Sequence, residues 1–193
     1  MVPVTAERYV PAMPLYLVTG ISGSGKSTVR NHLRMRGYEA YATDEDGYAS
    51  WFDDETGEEY SRLTTSEERT PEFGRRHSWR ISRTKVTQLA ADAAEQPIFL
   101  CGAVANEVAV WDLFAGVVAL DIDTETLKQR LASRTNNDFG KSDHELEQIL
   151  TWHADSLAAY QRAGYRVVDA TKPIDKVVDQ VLARTVGPFS DSA

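Results

Sequence analysis

The chain has 193 residues, 42% of them hydrophobic and 26% charged, with a net charge of −8. That length gives one domain with a full core and is short for two. The acidic balance argues against broad binding to nucleic acid or an anionic membrane, and the single cysteine, Cys101, excludes an intrachain disulfide and fits a cytoplasmic protein.

Residues 1–14 carry three prolines and no periodicity, which predicts a flexible lead-in without a secretory signal. LYLVT (15–19) is a short apolar run, as in a strand covered on both faces. GISGSGKS (20–27) follows. A helix fits 26–36, with Val29 and Leu33 one turn apart and Gly37 as its stop. YEAYA (38–42) predicts a second strand. From Asp44 to Tyr60 there are eight acids and no base; from Arg62 to Lys85 seven Lys/Arg face three Glu. Both stretches read as irregular or partly helical, and a helix is expected over about 80–95.

PIFLC (97–101) is another buried-type strand, NEVAVWDLF (106–114) a short helix and GVVALDI (116–122) a strand. Thr124 is expected to cap a helix carrying Leu127 and Leu131. Ser142 with Glu145 has the spacing of a capping box before a long helix ended by Gly164. YRVVDA (165–170) predicts a fifth strand, Pro173 a last helix, and residues 187–193 a flexible tail. Five strands alternating with helices imply a single domain over 15–186, built on one parallel sheet covered on both faces. No run reaches the ~18 apolar residues of a membrane span. His32, His77, His144 and His153 show no metal-ligand spacing.

The chemistry starts at residues 20–27, which match G-x-x-x-x-G-K-[ST] in full. Glycines let backbone N–H groups turn inward on phosphate oxygens, and the following helix aims its positive end at the same point. Gly20, Ser22, Gly23, Ser24, Gly25, Lys26, Ser27 and Thr28 are therefore candidates for holding a nucleoside triphosphate. In this pattern the lysine, Lys26, reaches the β- and γ-phosphates and the hydroxyl of Ser27 ligates Mg2+. A small GTPase is disfavoured: Asp44-Glu45-Asp46-Gly47 matches DxxG but lies only 18 residues after Lys26, and TKPID (171–175) supplies no guanine reader. A large ring ATPase needs more chain and a further helical domain. A small-molecule kinase suits the length.

Five ordered landmarks carry a resemblance over residues 15–185 to the shikimate-kinase and gluconate-kinase branch of the nucleoside-monophosphate-kinase-like family. They are YATDED (41–46), EFGRRHSWR (72–80), FLCGA (99–103), LKQRLASRTNNDFGK (127–141) and VDATKP (168–173). The resemblance implies a three-layer α/β/α fold with a five-stranded parallel sheet in the order 2-3-1-4-5. It implies a substrate-binding region at about 44–85, helical in part, and a LID at about 134–145.

It also implies roles. Asp44 falls on the acid that orients the acceptor hydroxyl; Ala42 falls where an acid assists magnesium, so that role is absent or taken by Asp46. Arg75, Arg76 and Arg80 are candidates to clamp an anionic acceptor, and Gly102 to let it approach the backbone. Cys101-Gly102 stands where nucleoside monophosphate kinases carry an aspartate, which favours a metabolite acceptor. Arg130 and Arg134, one turn apart, and Lys141 face the nucleotide, with Arg134 or Lys141 the transition-state cation and Arg130 alternatively structural. Lys172 and Pro173 lie along the base.

The expected activity is γ-phosphoryl transfer from ATP, with Mg2+, to a small-molecule acceptor, by a monomer or homodimer. A nucleoside monophosphate acceptor is the alternative within that class. An ATP-binding switch with slow hydrolysis is the alternative outside it.

Overall fold

The computed structural model describes residues 14–60, 65, 67–93, 96–135 and 137–186. The expected tail and all but the last residue of the expected lead-in lie outside these. Strands β1 (Leu15–Thr19), β2 (Glu39–Ala42), β6 (Ile98–Cys101), β7 (Gly116–Asp121) and β8 (Arg166–Asp169) form a parallel sheet in the order β2-β6-β1-β7-β8. Counted along the chain within this sheet, that is the expected 2-3-1-4-5. Helices α1 (Lys26–Met35), α3 (Arg83–Asp92), α4 (Thr124–Ser133), α5 (Asp143–Arg162) and α6 (Ile174–Ala183) flank it, with a 3-10 helix at Glu107–Leu113. Among the described residues no helix is long and apolar enough to cross a membrane.

The strands alternate between two cores. Tyr16, Val18, Phe99 and Val118 pack with α1, α4 and α6, while Leu15, Ile98 and Leu100 pack with α3 and the 3-10 helix. Each fully buried Leu or Phe contributes roughly 1.5–3 kcal/mol, so the sheet is a rigid base for what its edges carry. β1 is central, between β6 and β7, and the chain leaves it toward opposite sides. The loop after β1 thus opens at the topological switch point, where crevices form in such sheets.

The region between β2 and β6 departs from expectation. It holds a second, antiparallel sheet of β3 (Ala49–Asp53), β4 (Glu59–Tyr60) and β5 (His77–Ile81), in the order β4-β3-β5, with a six-residue helix α2 (Pro71–Arg76). The expected helix over 80–95 begins only at Arg83, because Trp79 and Arg80 pair across to Trp51 and Ser50. Charge balance alone gave no sign of this, since the pairing is long-range and the aromatic positions decide it.

Two caps also differ. Asp123, not Thr124, caps α4, its carboxylate accepting from Thr126 N at 2.8 Å. Ser142 stands at the start of α5 but makes no side-chain cap, because Glu145 turns back to Gly140 N at 2.8 Å and to Arg69 at 2.8 Å.

Candidate active site

The loop from Gly20 to Gly25 closes on itself through Ser24 N to Ile21 O at 3.0 Å. Gly20 has φ of 146°, and a Cβ there would meet Leu120 O at 2.7 Å, so the loop can start only with glycine. Gly25 precedes α1 with a positive φ and no side-chain cap, and the first turn of α1 holds no acid. Its N–H groups are left for an anion. Ser22, Gly23, Ser27 and Thr28 lie on the same loop and first turn, and the Ser24 hydroxyl is buried without a partner among the described residues.

Cations converge on this loop. Lys26 Nζ donates to Gly20 O at 2.6 Å and Ile21 O at 3.0 Å. Burial holds its pKa down to about 8, against the pull of the Asp44 charge upward; Arg134 lowers it further. Arg130 donates to Ser24 O at 3.0 Å and to Ala170 O at 2.8 Å, so it ties the loop to the turn after β8. Arg134 Nη1 donates to Ser22 Oγ at 3.2 Å, and its Nη2 donates to Phe139 O. Burial also lowers the Arg134 pKa. The charges rest on carbonyls and hydroxyls, which an incoming phosphate can replace. These residues fit a nucleoside triphosphate.

Lys141 stands apart from that group. Its Nζ donates to Leu131 O at 3.0 Å and Ala132 O at 3.1 Å, closing the C-terminal end of α4. Of the cations expected in the LID, Arg134 reaches the phosphate loop. Lys172 pairs with Asp169 at 3.3 Å, and Pro173 precedes α6.

The acids after β2 sort themselves by partner. Glu45 pairs with the buried Arg30 at 2.5 Å. Asp46 Oδ2 accepts from Ala42 N at 2.7 Å and lies 3.3 Å from Arg34. Its expected magnesium role meets that competition: the carboxylate is closing the turn. Among the described residues the Asp44 carboxylate accepts from Glu45 N at 2.9 Å and makes no ion pair.

Two expectations for the acceptor region need correction. Gly102 does not open the backbone to a ligand: Thr43 fills the space, and a Cβ at Gly102 would lie 1.8 Å from its hydroxyl. Arg76 and Arg80 do not present free guanidinium groups, since Arg76 pairs with Asp53 at 2.6 Å and Arg80 with Asp54 at 2.5 Å. Arg75 alone of the three makes no ion pair among the described residues. Cys101 is a packed thiol, its pKa pushed up to about 12 by burial, and no nucleophile.

Three features escaped sequence reasoning. Glu107, at the start of the 3-10 helix, accepts from Thr19 Oγ1 at 2.6 Å and from Tyr165 OH at 3.0 Å, just beneath the phosphate loop. Arg69 and Glu145 form a buried pair at 2.8 Å, and Arg69 also meets Asp138 at 2.8 Å. Asn106 pins the loop after β6 to β5, accepting from Ile81 N at 2.8 Å. Each is a charged or amide residue whose partner lies far along the chain, and spacing does not connect the two.

A family model described as an AAA domain matches residues 17–151. The chain belongs to that family. The match runs from β1 into α5, so the AAA domain here includes the phosphate loop, the antiparallel sheet and the segment expected to form a LID. No curated protein matches the chain. Among solved structures it is similar to a shikimate kinase from Acinetobacter baumannii in complex with shikimate. That match has a TM-score of 0.56 at 16% identity and covers 90% of this chain and 93% of that one. A gluconokinase from Sinorhizobium meliloti 1021 matches with a TM-score of 0.51 at 18% identity, covering 91% and 93%. A sugar kinase from Janibacter sp. HTCC2649 matches with a TM-score of 0.50 at 20% identity, covering 91% and 96%. In fold, this AAA domain is similar to these kinases.

Proposed function

We propose that the chain is an ATP-dependent phosphotransferase that moves the γ-phosphoryl group to an oxygen of a small metabolite. One observation carries the reading. Lys26 and the LID residue Arg134 meet at the phosphate loop, and the charge of Asp44, which among the described residues is the one acid of the turn after β2 without an ion pair, raises the Lys26 pKa. Donor-holding cations thus lie within the electrostatic reach of an available carboxylate.

The acceptor hydroxyl gives its proton to the Asp44 carboxylate as its oxygen bonds to the γ-phosphorus. The bond from that phosphorus to the β,γ-bridging oxygen breaks, and ADP leaves with the electron pair. Lys26 and Arg134 hold the charge that gathers on the phosphoryl oxygens and the leaving group. Ser27 would hold Mg2+, with the remaining oxygen of Asp46 as its second candidate ligand; the ion, when bound, offsets charge between the phosphates. Gly20 to Thr28 and Arg130 bind the donor. Lys172 and Pro173 flank its base.

Acceptor-dependent ADP release across a panel of metabolites tests this. Turnover is expected to rise above the water rate for at least one class of acceptor, and Asp44→Asn to lower kcat by ~10²–10⁴-fold with donor binding kept. An ATPase that no acceptor accelerates, with Asp44→Asn at full rate, overturns the reading in favour of a slow nucleotide switch.

A further inference from the structure

Asp44 and the phosphate loop stand on strands that do not pair. β2 leads to the acid, β1 leads to the loop, and β6 lies between them. Two backbone bonds at the strand ends span that gap. Gly102 N donates to Val18 O at 3.0 Å, just before Thr19 and Gly20, and Thr43 N donates to Cys101 O at 3.0 Å, just before Asp44. They extend the ladder past its last paired residues, Val18 and Ala42 with Cys101.

The two strand ends also interlock. Thr43 is 2% exposed and lies against Gly102. A Cβ on Gly102 would come within 2.3 Å of Thr43 Cγ2 and 2.6 Å of Thr43 Cβ. Rotating the Thr43 side chain moves Oγ1 and Cγ2 but not Cβ, so no rotamer makes room. The φ of Gly102 lies outside the left-handed region, so space and not backbone conformation requires the glycine. A buried side chain packed on bare backbone of the next strand is a fixed seat.

Asp44 follows that seat directly. Thr43 O accepts from Ala49 N at 2.7 Å, and Asp44 O accepts from Gly47 N at 3.2 Å. The Asp46 carboxylate closes the same turn on Ala42 N at 2.7 Å, and Glu45 is held by Arg30. Among the described residues Asp44 has no ion pair to place it, so the backbone it stands on must do so.

We propose that Thr43 and Gly102 are a positioning pair whose contact sets the distance between the Asp44 carboxylate and the phosphate loop. A side chain at position 102 pushes Thr43, and Asp44 with it, away from β6 and so away from β1. That the displaced acid takes the acceptor proton rests on the phosphotransferase reading above; the seat rests on the contact.

The seat is read through Lys26. Burial lowers the Lys26 pKa; Asp44 raises it, Arg134 lowers it, and Glu107 and Cys101 raise it. Binding of nucleotide therefore takes up a proton above an onset pH that Asp44 helps to set. The measurement is calorimetric titration of the full chain with a non-hydrolysable ATP analogue, in two buffers of different ionisation enthalpy. Gly102→Ala should move the onset to lower pH, as Asp44→Asn does, and the variant carrying both should match Asp44→Asn alone. Transfer to an acceptor should fall by ~10–100-fold, as a small misplacement of a reacting group implies. Adding Thr43→Gly to Gly102→Ala frees the space again and should recover part of both effects. A parental onset in Gly102→Ala overturns the proposal. So does an onset in the combined variant below that of Asp44→Asn, because the glycine would then act on the loop itself through Val18. If Gly102→Ala does not fold, Thr43→Gly alone, which adds no bulk, carries the test: it unseats the same acid and should lower the onset, and a parental onset overturns the pair. Shifted onsets with transfer unchanged, or with no acceptor found, overturn the role of Asp44 in the phosphotransferase reading and leave the positioning pair standing.

Discussion

Two parts of this molecule are dense in charge and use it in opposite ways. At the phosphate loop, Lys26, Arg130 and Arg134 rest on carbonyl and hydroxyl oxygens. In the antiparallel sheet, Arg76 and Arg80 are matched by Asp53 and Asp54. The first arrangement is electrically unfinished and gains when a polyanion arrives. The second is neutralised within itself, and it shapes a surface while leaving the Arg75 charge unspent. Counting arginines in the sequence therefore overstates how many serve a ligand; the acids opposite them decide.

The largest effect is expected at the phosphate loop. Lys26→Met should lower phosphoryl transfer by at least ~10²–10³-fold, because a charge aimed at the transferring group in a half-buried site cannot be replaced by water. The fold should remain, since Lys26 bonds only carbonyls of its own loop. Steady-state kinetics with a circular dichroism control would read both. Near-parental transfer in this variant would remove the distinction between the two regions.

The two regions also differ in how far the sequence revealed them. The phosphate loop and its strand and helix were legible because their contacts are local: Val29 N bonds Gly25 O, four residues back, and Gly20 needs glycine for its own φ. The parallel sheet was legible from five apolar runs. The 44–85 segment was not, because Trp51 opposite Trp79 joins positions 28 apart and nothing local marks the pairing. The same distance hid Glu107 beneath Thr19, 88 residues apart, and Glu145, whose spacing from Ser142 suggested a helix cap but whose partner is Arg69.

That last pair gives the next largest effect, on stability. Glu145 has 1% side-chain exposure and Arg69 8%. Glu145→Ala leaves a buried guanidinium short of its partner and frees Gly140 N, so the chain should lose about 3–5 kcal/mol, measured by urea unfolding. A joint Arg69→Met, Glu145→Leu variant should recover much of that, because removing both charges also removes the need to solvate either. If Glu145→Ala unfolds like the parent, the link between α5 and the segment before α2 is not structural.

A smaller effect sharpens the loop side. Burial lowers the Lys26 pKa from 10.5 to about 8, and Asp44 is the chief charge opposing that. Below about pH 8 the lysine is charged with or without nucleotide, and ATP affinity should be flat. Above it the free loop loses the proton, and binding must take one up, so the dissociation constant should rise by up to ~10-fold per pH unit. The unfolded chain binds more protons between about 8 and 10.5, so this one group adds stability as pH rises through that window. Titrations in two buffers of different ionisation enthalpy measure the proton uptake, and Asp44→Asn should shift its onset to lower pH.

The smallest expected effect is the most direct check on the neutralised region. Arg76→Ala and Arg80→Ala should change the acceptor KM by less than ~3-fold, since each removes a charge already matched by a neighbouring acid on the protein. The pairing has a second signature. Arg76 and two backbone N–H groups, from Thr56 and Glu55, hold the Asp53 pKa down to about 2. Arg76→Ala should therefore raise the Asp53 pKa toward its ordinary 3.8, with the backbone bonds keeping part of the shift, readable by side-chain NMR titration. An Asp53 that titrates as before, together with a KM many times higher, would mean that Arg76 leaves Asp53 to hold the acceptor. The arginines of this sheet would then behave like those of the phosphate loop.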